Sequence, residues 1–244
     1  MALPKLDSPI YETKLISNDK VVHFRPFLVK EQKLFLMAAQ SDDVKDVVNA
    51  IKQVLNNCIL DKDVDVNTLP TFDLEHLFMQ LRARSVGEIA KLSYTCNNKV
   101  TDEKGVEKPC GGLVKFDINL LEIEPIKNAN HTNKIQLTDK LGIVMKYPNF
   151  NMVSKLNMKS NVDLLNIVVE CIDFIYDEDK IYYAKDCSEK ELTDFIESMQ
   201  QSDMEKIQVF FETMPKIAKD MDFKCGKCGY SEQMHIEGIQ NFFG

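Results

Sequence analysis

The segment Phe223-Lys224-Cys225-Gly226-Lys227-Cys228-Gly229-Tyr230 decides how this chain is held together. Its two cysteines are separated by two residues, and a glycine follows each of them. Two thiolates at this spacing can bind one metal ion only where the backbone turns tightly, and glycine permits such a turn. The segment therefore predicts a zinc knuckle near the C-terminal end of the sequence.

A second cysteine pair is expected, because structural zinc takes four ligands in a tetrahedral arrangement. The best candidates are Cys96 and Cys110, which flank a polar insert, 97–108, and the second of them lies in Pro109-Cys110-Gly111. We therefore expect one closed site with a structural Zn²⁺ ion, and four thiolates leave no position for water or substrate. Iron in the same site is the alternative metal. The predicted ligands are Cys96, Cys110, Cys225 and Cys228.

Other interpretations of Cys225 and Cys228 are two ordinary reduced thiols or a redox pair. A redox C-x-x-C begins a helix after a strand in a βαβ unit, and no such unit is visible here. His235, seven residues after Cys228, is an alternative ligand in place of a thiol. The four histidines are otherwise expected to be surface or hydrogen-bonded polar residues: His23, His76, His131 and His235. Of the remaining cysteines, we expect a core position for Cys58 and Cys171 and a free thiol at Cys187.

The composition is that of a globular protein: 244 residues, 44% hydrophobic and 28% charged, with a net charge of −8. The acidic balance disfavours nonspecific nucleic-acid binding, because phosphate contacts need clustered lysine and arginine. No apolar run approaches the roughly 20 residues of a membrane span. The first residues also lack the apolar stretch of a signal peptide. A cytoplasmic setting, in which the seven cysteines are thiols and metal ligands, is therefore expected.

Hydrophobic periodicity predicts an α+β protein that is mostly helical, with short β-hairpins and a four-cysteine zinc-ribbon-like element joining the middle of the chain to the C-terminus. Apolar residues recur at three- and four-residue steps over 44–58, which is typical of a helix. They alternate with polar residues on both sides of the Cys96 to Cys110 insert, which indicates a hairpin.

Three regions follow from these patterns. Residues 1–90 form an N-terminal extended segment plus helices, and 91–150 form a β-rich region with the first cysteine pair. Residues 151–244 form a helical region that ends in the zinc knuckle. We expect the three regions to fold together as one compact domain.

The sequence contains no motif for catalysis. There is no G-x-S-x-G, no phosphate-binding glycine loop and no H-E-x-x-H. Acidic runs such as Asp177-Glu178-Asp179 are typical of solvated faces in an acidic chain. We therefore expect neither an enzyme nor a small-molecule substrate.

With these features located, the chain resembles the baseplate family of T4-like contractile-tailed bacteriophages, which includes a baseplate hub subunit and a related hub assembly chaperone. The resemblance covers essentially the whole chain. It departs from the family pattern at the long insert between Cys96 and Cys110, where a compact turn would be expected. It is carried by the strands at 89–96, 113–120 and 142–148, and by the C-terminal knuckle followed by Gly238 and Phe242-Phe243.

The resemblance implies a late protein of virion assembly, either a tail baseplate hub component or a hub assembly factor. Such a protein acts by protein–protein interaction with other hub proteins and the tape-measure protein, without a membrane or nucleic acid. It works in the host cytoplasm during assembly and is found in the tail baseplate if it stays in the virion. The alternative is a zinc-ribbon nucleic-acid-binding regulatory protein.

Three exposed segments are candidate partner surfaces. They are the insert 97–108, the acidic loop 177–180 and the tail Phe242-Phe243. For the tail, the alternative is that both rings cover the core, since large apolar residues are usually buried.

Overall fold

The computed structural model describes residues 6–38, 44–101, 105–154 and 161–238. The α-helices are α1 (Val29–Ala38), α2 (Val44–Cys58), α3 (Thr71–Val86), α4 (Phe150–Ser154), α5 (Asn161–Glu170), α6 (Glu189–Glu197) and α7 (Gln201–Thr213). The strands are β1 (Tyr11–Lys14), β2 (Val21–Phe24), β3 (Ile89–Thr95), β4 (Lys99–Thr101), β5 (Glu107–Pro109), β6 (Leu113–Asn119), β7 (Lys134–Gln136), β8 (Leu141–Met145), β9 (Ile172–Asp177), β10 (Lys180–Tyr183), β11 (Ala218–Lys224) and β12 (Ser231–Glu237). The α+β class is confirmed, whereas the expectation of a mostly helical chain is not, because strand and helix contribute comparably.

The chain divides into two compact units. Unit 1 contains the described parts of Met1–Val64, Glu75–Ile126 and Lys216–Gly244, and unit 2 contains those of Asp65–Leu74 and Lys127–Pro215. The regions 1–90, 91–150 and 151–244 and their union in one domain stay a prediction.

Among the residues that the structure describes, unit 1 combines helices with four antiparallel strand pairs, β1–β2, β3–β6, β4–β5 and β11–β12. Helix α2 buries the apolar stripe that its periodicity predicts, including Ile51, Val54 and Leu55. Strand β3 pairs antiparallel with β6, and β11 pairs antiparallel with β12, each over seven residues and each as its own two-stranded sheet. Ile89 begins β3, because α3 ends at Val86 and Gly87 follows at a φ of 133°.

The β3–β6 and β11–β12 hairpins are far apart in sequence, but two backbone hydrogen bonds join the ends of the segment between them. The backbone N–H of Ile126 donates to the Lys216 carbonyl at 2.9 Å, and the N–H of Lys216 donates back to Ile126 at 3.1 Å. This reciprocal pair places the start of the C-terminal hairpin beside the end of the β3–β6 segment. The pairing brings the two cysteine-bearing parts of the sequence into one unit.

Unit 2 is built on a four-stranded antiparallel sheet in the order β10-β9-β8-β7. Its core includes Ile143, Met145 and Ile172 from the strands, with Ile207 and Phe210 from α7. Ile172 begins β9 two residues after the end of α5. Short apolar runs fit both the helical and the strand period, and pairing with β8 decides between them here. None of the described helices combines the length and apolarity that crossing a membrane requires.

A buried histidine in unit 1 makes stability depend on pH. His76 is 8% exposed, its Nε2 lies 2.9 Å from Thr13 Oγ1, and its Nδ1 has no hydrogen-bond partner. Burial lowers the pKa of His76 to about 4, so the ring is neutral in the folded protein.

We expect acid to destabilise the protein through His76. Below pH 6.5 the unfolded chain takes up a proton that the folded chain does not, so stability present above pH 6.5 is lost as the pH falls towards 4. The loss should reach about 3 kcal/mol, since the pKa falls from 6.5 to about 4 and each pK unit corresponds to roughly 1.4 kcal/mol. Urea unfolding at several pH values should show a shallower slope in His76→Gln. An unchanged slope would assign the effect to another group.

Candidate metal centre

The first cysteine pair lies at the two ends of the insert that connects β3 to β6. Cys96 N–H donates to the Gly112 carbonyl at 2.7 Å, and Gly111 N–H donates to the Cys96 carbonyl at 3.0 Å. Within the insert, β4 and β5 form a short hairpin of their own, and Cys110 N–H donates to the Asn98 carbonyl at 2.8 Å. The two ends of the insert therefore lie side by side, and Cys96 and Cys110 are close in space despite the length of the insert.

The second pair lies in the turn that joins β11 to β12. Cys225 N–H donates to the Tyr230 carbonyl at 2.8 Å, and Gly229 N–H donates to the Cys225 carbonyl at 2.9 Å. Gly229 has a φ of 74°, a conformation that favours glycine, so the motif places glycine where the turn needs it.

The structure brings all four predicted cysteines together. Cys96 Sγ lies 3.8 Å from Cys228 Sγ, and Cys110 Sγ lies 3.8 Å from Cys225 Sγ. All four sulfur atoms are within 4.8 Å of one another. Four thiolates around one zinc ion at about 2.3 Å have sulfur–sulfur separations of about 3.8 Å, whereas a disulfide bond measures about 2.05 Å. The donor set and its spacing fit a tetrahedral metal ion.

His235, the alternative ligand, takes part in a different contact. Its Nδ1 lies 2.7 Å from Asp220 Oδ1 and its Nε2 lies 3.2 Å from Glu237 Oε2. These contacts raise the pKa of His235, with the Asp220 hydrogen bond as the largest cause. Within the part of the chain that the structure describes, the four thiols are the group of potential metal ligands that lies close together.

Each sulfur atom faces the backbone N–H of the residue two positions further along the chain. These hydrogen bonds repeat in both halves of the site, which the sequence reasoning did not foresee. The knuckle motif was the signal for them, because its tight turn directs backbone N–H groups at the sulfur. The pairs are Asn98 to Cys96, Gly112 to Cys110, Lys227 to Cys225 and Tyr230 to Cys228.

The backbone and burial act in opposite directions on the four thiols. The N–H of Tyr230 lowers the pKa of Cys228 to about 6, and the N–H groups of Cys228 and Lys227 lower the pKa of Cys225. Burial raises the pKa of Cys96 to about 12 and raises that of Cys110. Four neighbouring thiolates repel one another, so a cation is what allows all of them to be deprotonated together.

Apolar and polar neighbours fix the two halves against each other. Phe223 is buried with the cysteines, and its ring centroid lies 6.3 Å from that of Phe116 on the other hairpin. Lys227 Nζ donates to the Cys110 carbonyl at 2.6 Å, which links the knuckle to the first pair. Asn98 Nδ2 lies 3.7 Å from Cys228 Sγ and makes the reciprocal link. These contacts cross between the hairpins at the thiol cluster.

Gly112 leaves no room for a side chain beside the cluster. A Cβ atom there would lie 2.7 Å from Cys225 Sγ and 3.1 Å from Lys227 Cβ. We expect Gly112→Ala to displace the knuckle, to lower stability by about 1–3 kcal/mol and to lower zinc affinity at least about tenfold. Thermal melting and competition with a chelating dye would measure both effects.

Gly226→Ala is the matched control, because a Cβ at Gly226 meets no atom within 4 Å and its φ is not in the left-handed region. It should change stability by less than about 0.5 kcal/mol. Equal effects of the two variants would contradict the close approach of Gly112 to the cluster.

The remaining predicted residues fall outside the site. Cys58 and Cys171 are fully buried, which confirms their core positions, and Cys187 is half-buried in unit 2. The acidic loop 177–180 is the turn between β9 and β10, and most of the described residues of the insert, 97–101 and 105–108, are exposed. Phe242-Phe243 lies outside the described residues.

The structure is thus that of an α+β protein. Its candidate site consists of four cysteine thiols, two beside the β3–β6 hairpin and two in the turn of the β11–β12 hairpin. The chain belongs to the family described as T4 bacteriophage base plate protein, whose model matches residues 8–244. It is 25% identical over 235 residues to the "Baseplate hub assembly protein gp26" of Enterobacteria phage T4, covering 96% of this chain and 97% of that protein. No solved structure matches the chain. The resemblance inferred from the sequence is thereby confirmed.

Proposed function

We propose that this protein is a tail baseplate hub component or a hub assembly factor that acts by protein–protein interaction. The observation that carries the proposal is the similarity to the hub assembly protein of phage T4, which extends over 96% of this chain. The similarity also covers 97% of the relative, so it is not confined to one segment of either chain. A non-enzymatic role fits a cluster in which four thiols face one another.

The partners proposed are other baseplate hub proteins and the tape-measure protein, met in the host cytoplasm during tail assembly. A hub subunit remains in the tail, whereas a chaperone leaves after assembly. We favour the assembly role, since the curated relative carries that description.

The metal is proposed to be one structural Zn²⁺ ion held by the four cysteines in a zinc-ribbon-like pair of hairpins. The first and second cysteine pairs are far apart in sequence, since Cys110 and Cys225, whose sulfur atoms are in contact, are separated by 115 positions. A metal ion at this point would hold two separate two-stranded sheets together, which their backbones do not do by pairing. Its role is to stabilise unit 1 and to keep the binding surfaces of the hairpins in place.

The functional proposal can be tested by affinity purification of tagged protein from infected cells, followed by mass spectrometry. We expect nuclease-resistant recovery of hub and tape-measure proteins, and no such recovery with an unrelated tagged protein of similar charge. Absence from purified virions would identify a chaperone, and presence would identify a subunit. Recovery of nucleic acid or transcription proteins instead would contradict the proposal and favour the regulatory alternative.

A further inference from the structure

Strand β10 lies at an outer edge of the sheet in unit 2, and three of its four residues are large and apolar. All four of its residues are exposed, with Ile181 at 53%, Tyr182 at 45% and Tyr183 at 45%. In the described ranges these are the one run of three consecutive exposed large apolar residues. An edge strand directs alternate N–H and C=O groups away from the sheet, so it offers a template for another strand.

The opposite edge of the same sheet is protected by a charge. Lys206 Nζ from α7 donates to the Gln136 carbonyl of β7 at 3.1 Å and to the Leu137 carbonyl at 3.5 Å. Asp203 Oδ1, 2.9 Å away, holds the same ammonium group. A lysine over an edge is a common way in which proteins prevent strand addition. On the β7 edge a lysine therefore covers the outward backbone carbonyls, whereas β10 has a lysine at its first residue, Lys180, and then isoleucine and two tyrosines.

An added strand would continue apolar surface on both faces of the sheet. Tyr183 lies opposite Phe174 of β9, and their ring centroids are 5.8 Å apart, while Ile181 lies opposite Tyr176. On the other face Tyr182 lies opposite Ile175, which is 8% exposed. Covering β10 would remove three large side chains from water, which favours association.

We propose that β10 pairs antiparallel with β10 of a second copy of this chain. The acidic residues 177–179 precede the strand, and Lys185 follows it with its Nζ 5.3 Å from the centroid of the Tyr183 ring. Glu178 is already paired with Lys140, so the charge that matters is that of Asp179. Antiparallel pairing places Asp179 of one copy near Lys185 of the other, twice by symmetry, whereas parallel pairing would set Asp179 against Asp179 and Lys185 against Lys185. Charge complementarity thus selects the antiparallel dimer.

The two four-stranded sheets then form one antiparallel sheet across the two-fold axis. An axis at Tyr182 sets this residue against its own copy and Ile181 against Tyr183, which are favourable cross-strand pairs. Two strands of four residues bury less than the roughly 1,200 Å² of a small stable interface, which puts the dimer in the weak, transient class, and we expect a dissociation constant in the micromolar range. The dimer depends neither on the metal nor on the hub role.

Sedimentation equilibrium of the full chain over the micromolar range tests this proposal. We expect a concentration-dependent dimer, and at least about a tenfold rise in its dissociation constant in Ile181→Lys and in Tyr183→Lys. Val209→Lys is the matched control, because Val209 is 51% exposed on α7 in the same unit, and it should dimerise like the wild type. Circular dichroism should be the same for all variants, since each site is exposed.

A wild-type protein that stays monomeric throughout this range would overturn the proposal. A dimer that persists in Ile181→Lys and Tyr183→Lys would overturn it equally, because another surface would then carry the contact. Both outcomes are separate from the pull-down result, which concerns different partners.

Discussion

Replacing Cys225 with serine should release the metal and loosen two distant segments at once. A serine hydroxyl is a poor substitute for a thiolate, and Cys225 also receives the N–H groups of Lys227 and Cys228. Removing a residue that hydrogen-bonds to a metal ligand lowers metal affinity about 10–100-fold. Removing the ligand itself should therefore lower it more than about 100-fold. We expect about one zinc ion per wild-type chain and almost none in Cys225→Ser.

Hydrogen exchange would show where the protein loosens. Protection should fall in β11 and β12, which flank the substitution, and also in β3 and β6, which meet them at the thiol cluster and through neighbouring side chains. Peptides from β8 and β9 in unit 2 serve as the internal reference.

Cys187→Ser is the matched control, because this cysteine is half-buried and lies outside the cluster. It should keep the metal and the wild-type exchange pattern. Unchanged metal content and melting in Cys225→Ser would exclude the proposed site, and iron in place of zinc in elemental analysis would change the metal but not the ligands.

Phe210→Ala should strongly destabilise unit 2. Phe210 is 2% exposed, and its ring lies 5.7 Å from Tyr147, 5.3 Å from His131 and 5.1 Å from Phe211. Removing a buried phenylalanine side chain leaves a cavity and costs about 3–5 kcal/mol. The substitution would also weaken the contact between the two rings that pack on Phe210, in which His131 Nε2 lies 2.9 Å from the Tyr147 hydroxyl.

Denaturant unfolding measures this loss. Val209→Ala is the neighbouring control, since Val209 is 51% exposed and its truncation should change the free energy of unfolding by less than about 0.5 kcal/mol. A loss below about 1 kcal/mol in Phe210→Ala would contradict the assignment of this residue to the core. Metal content should stay unchanged, because Phe210 belongs to unit 2 and the cysteines belong to unit 1.

Much of the candidate site could be predicted because its signals are local in sequence. Cysteines three positions apart with a glycine after each predict a knuckle. Because tetrahedral coordination needs four ligands, a second pair is required, and Cys96 and Cys110 are the best candidates. Alternation on both sides of the insert predicted the β3–β6 hairpin, and three- and four-residue steps predicted α2. The family resemblance rested on the same local patterns, and the match to residues 8–244 confirmed it.

Long-range pairing decided what the sequence left open. Ile172 fits both a helix and a strand, and only its pairing with β8 made it part of a sheet. The folding of the insert into its own hairpin, the N–H groups aimed at each sulfur and the open edge at Ile181 likewise depend on neighbours far along the chain. Local spacing determines which residues can bind a metal or form a turn, because those depend on a few adjacent dihedral angles. Which edge is covered and which side chain is buried depends on contacts between distant segments, and short sequence patterns do not encode these contacts.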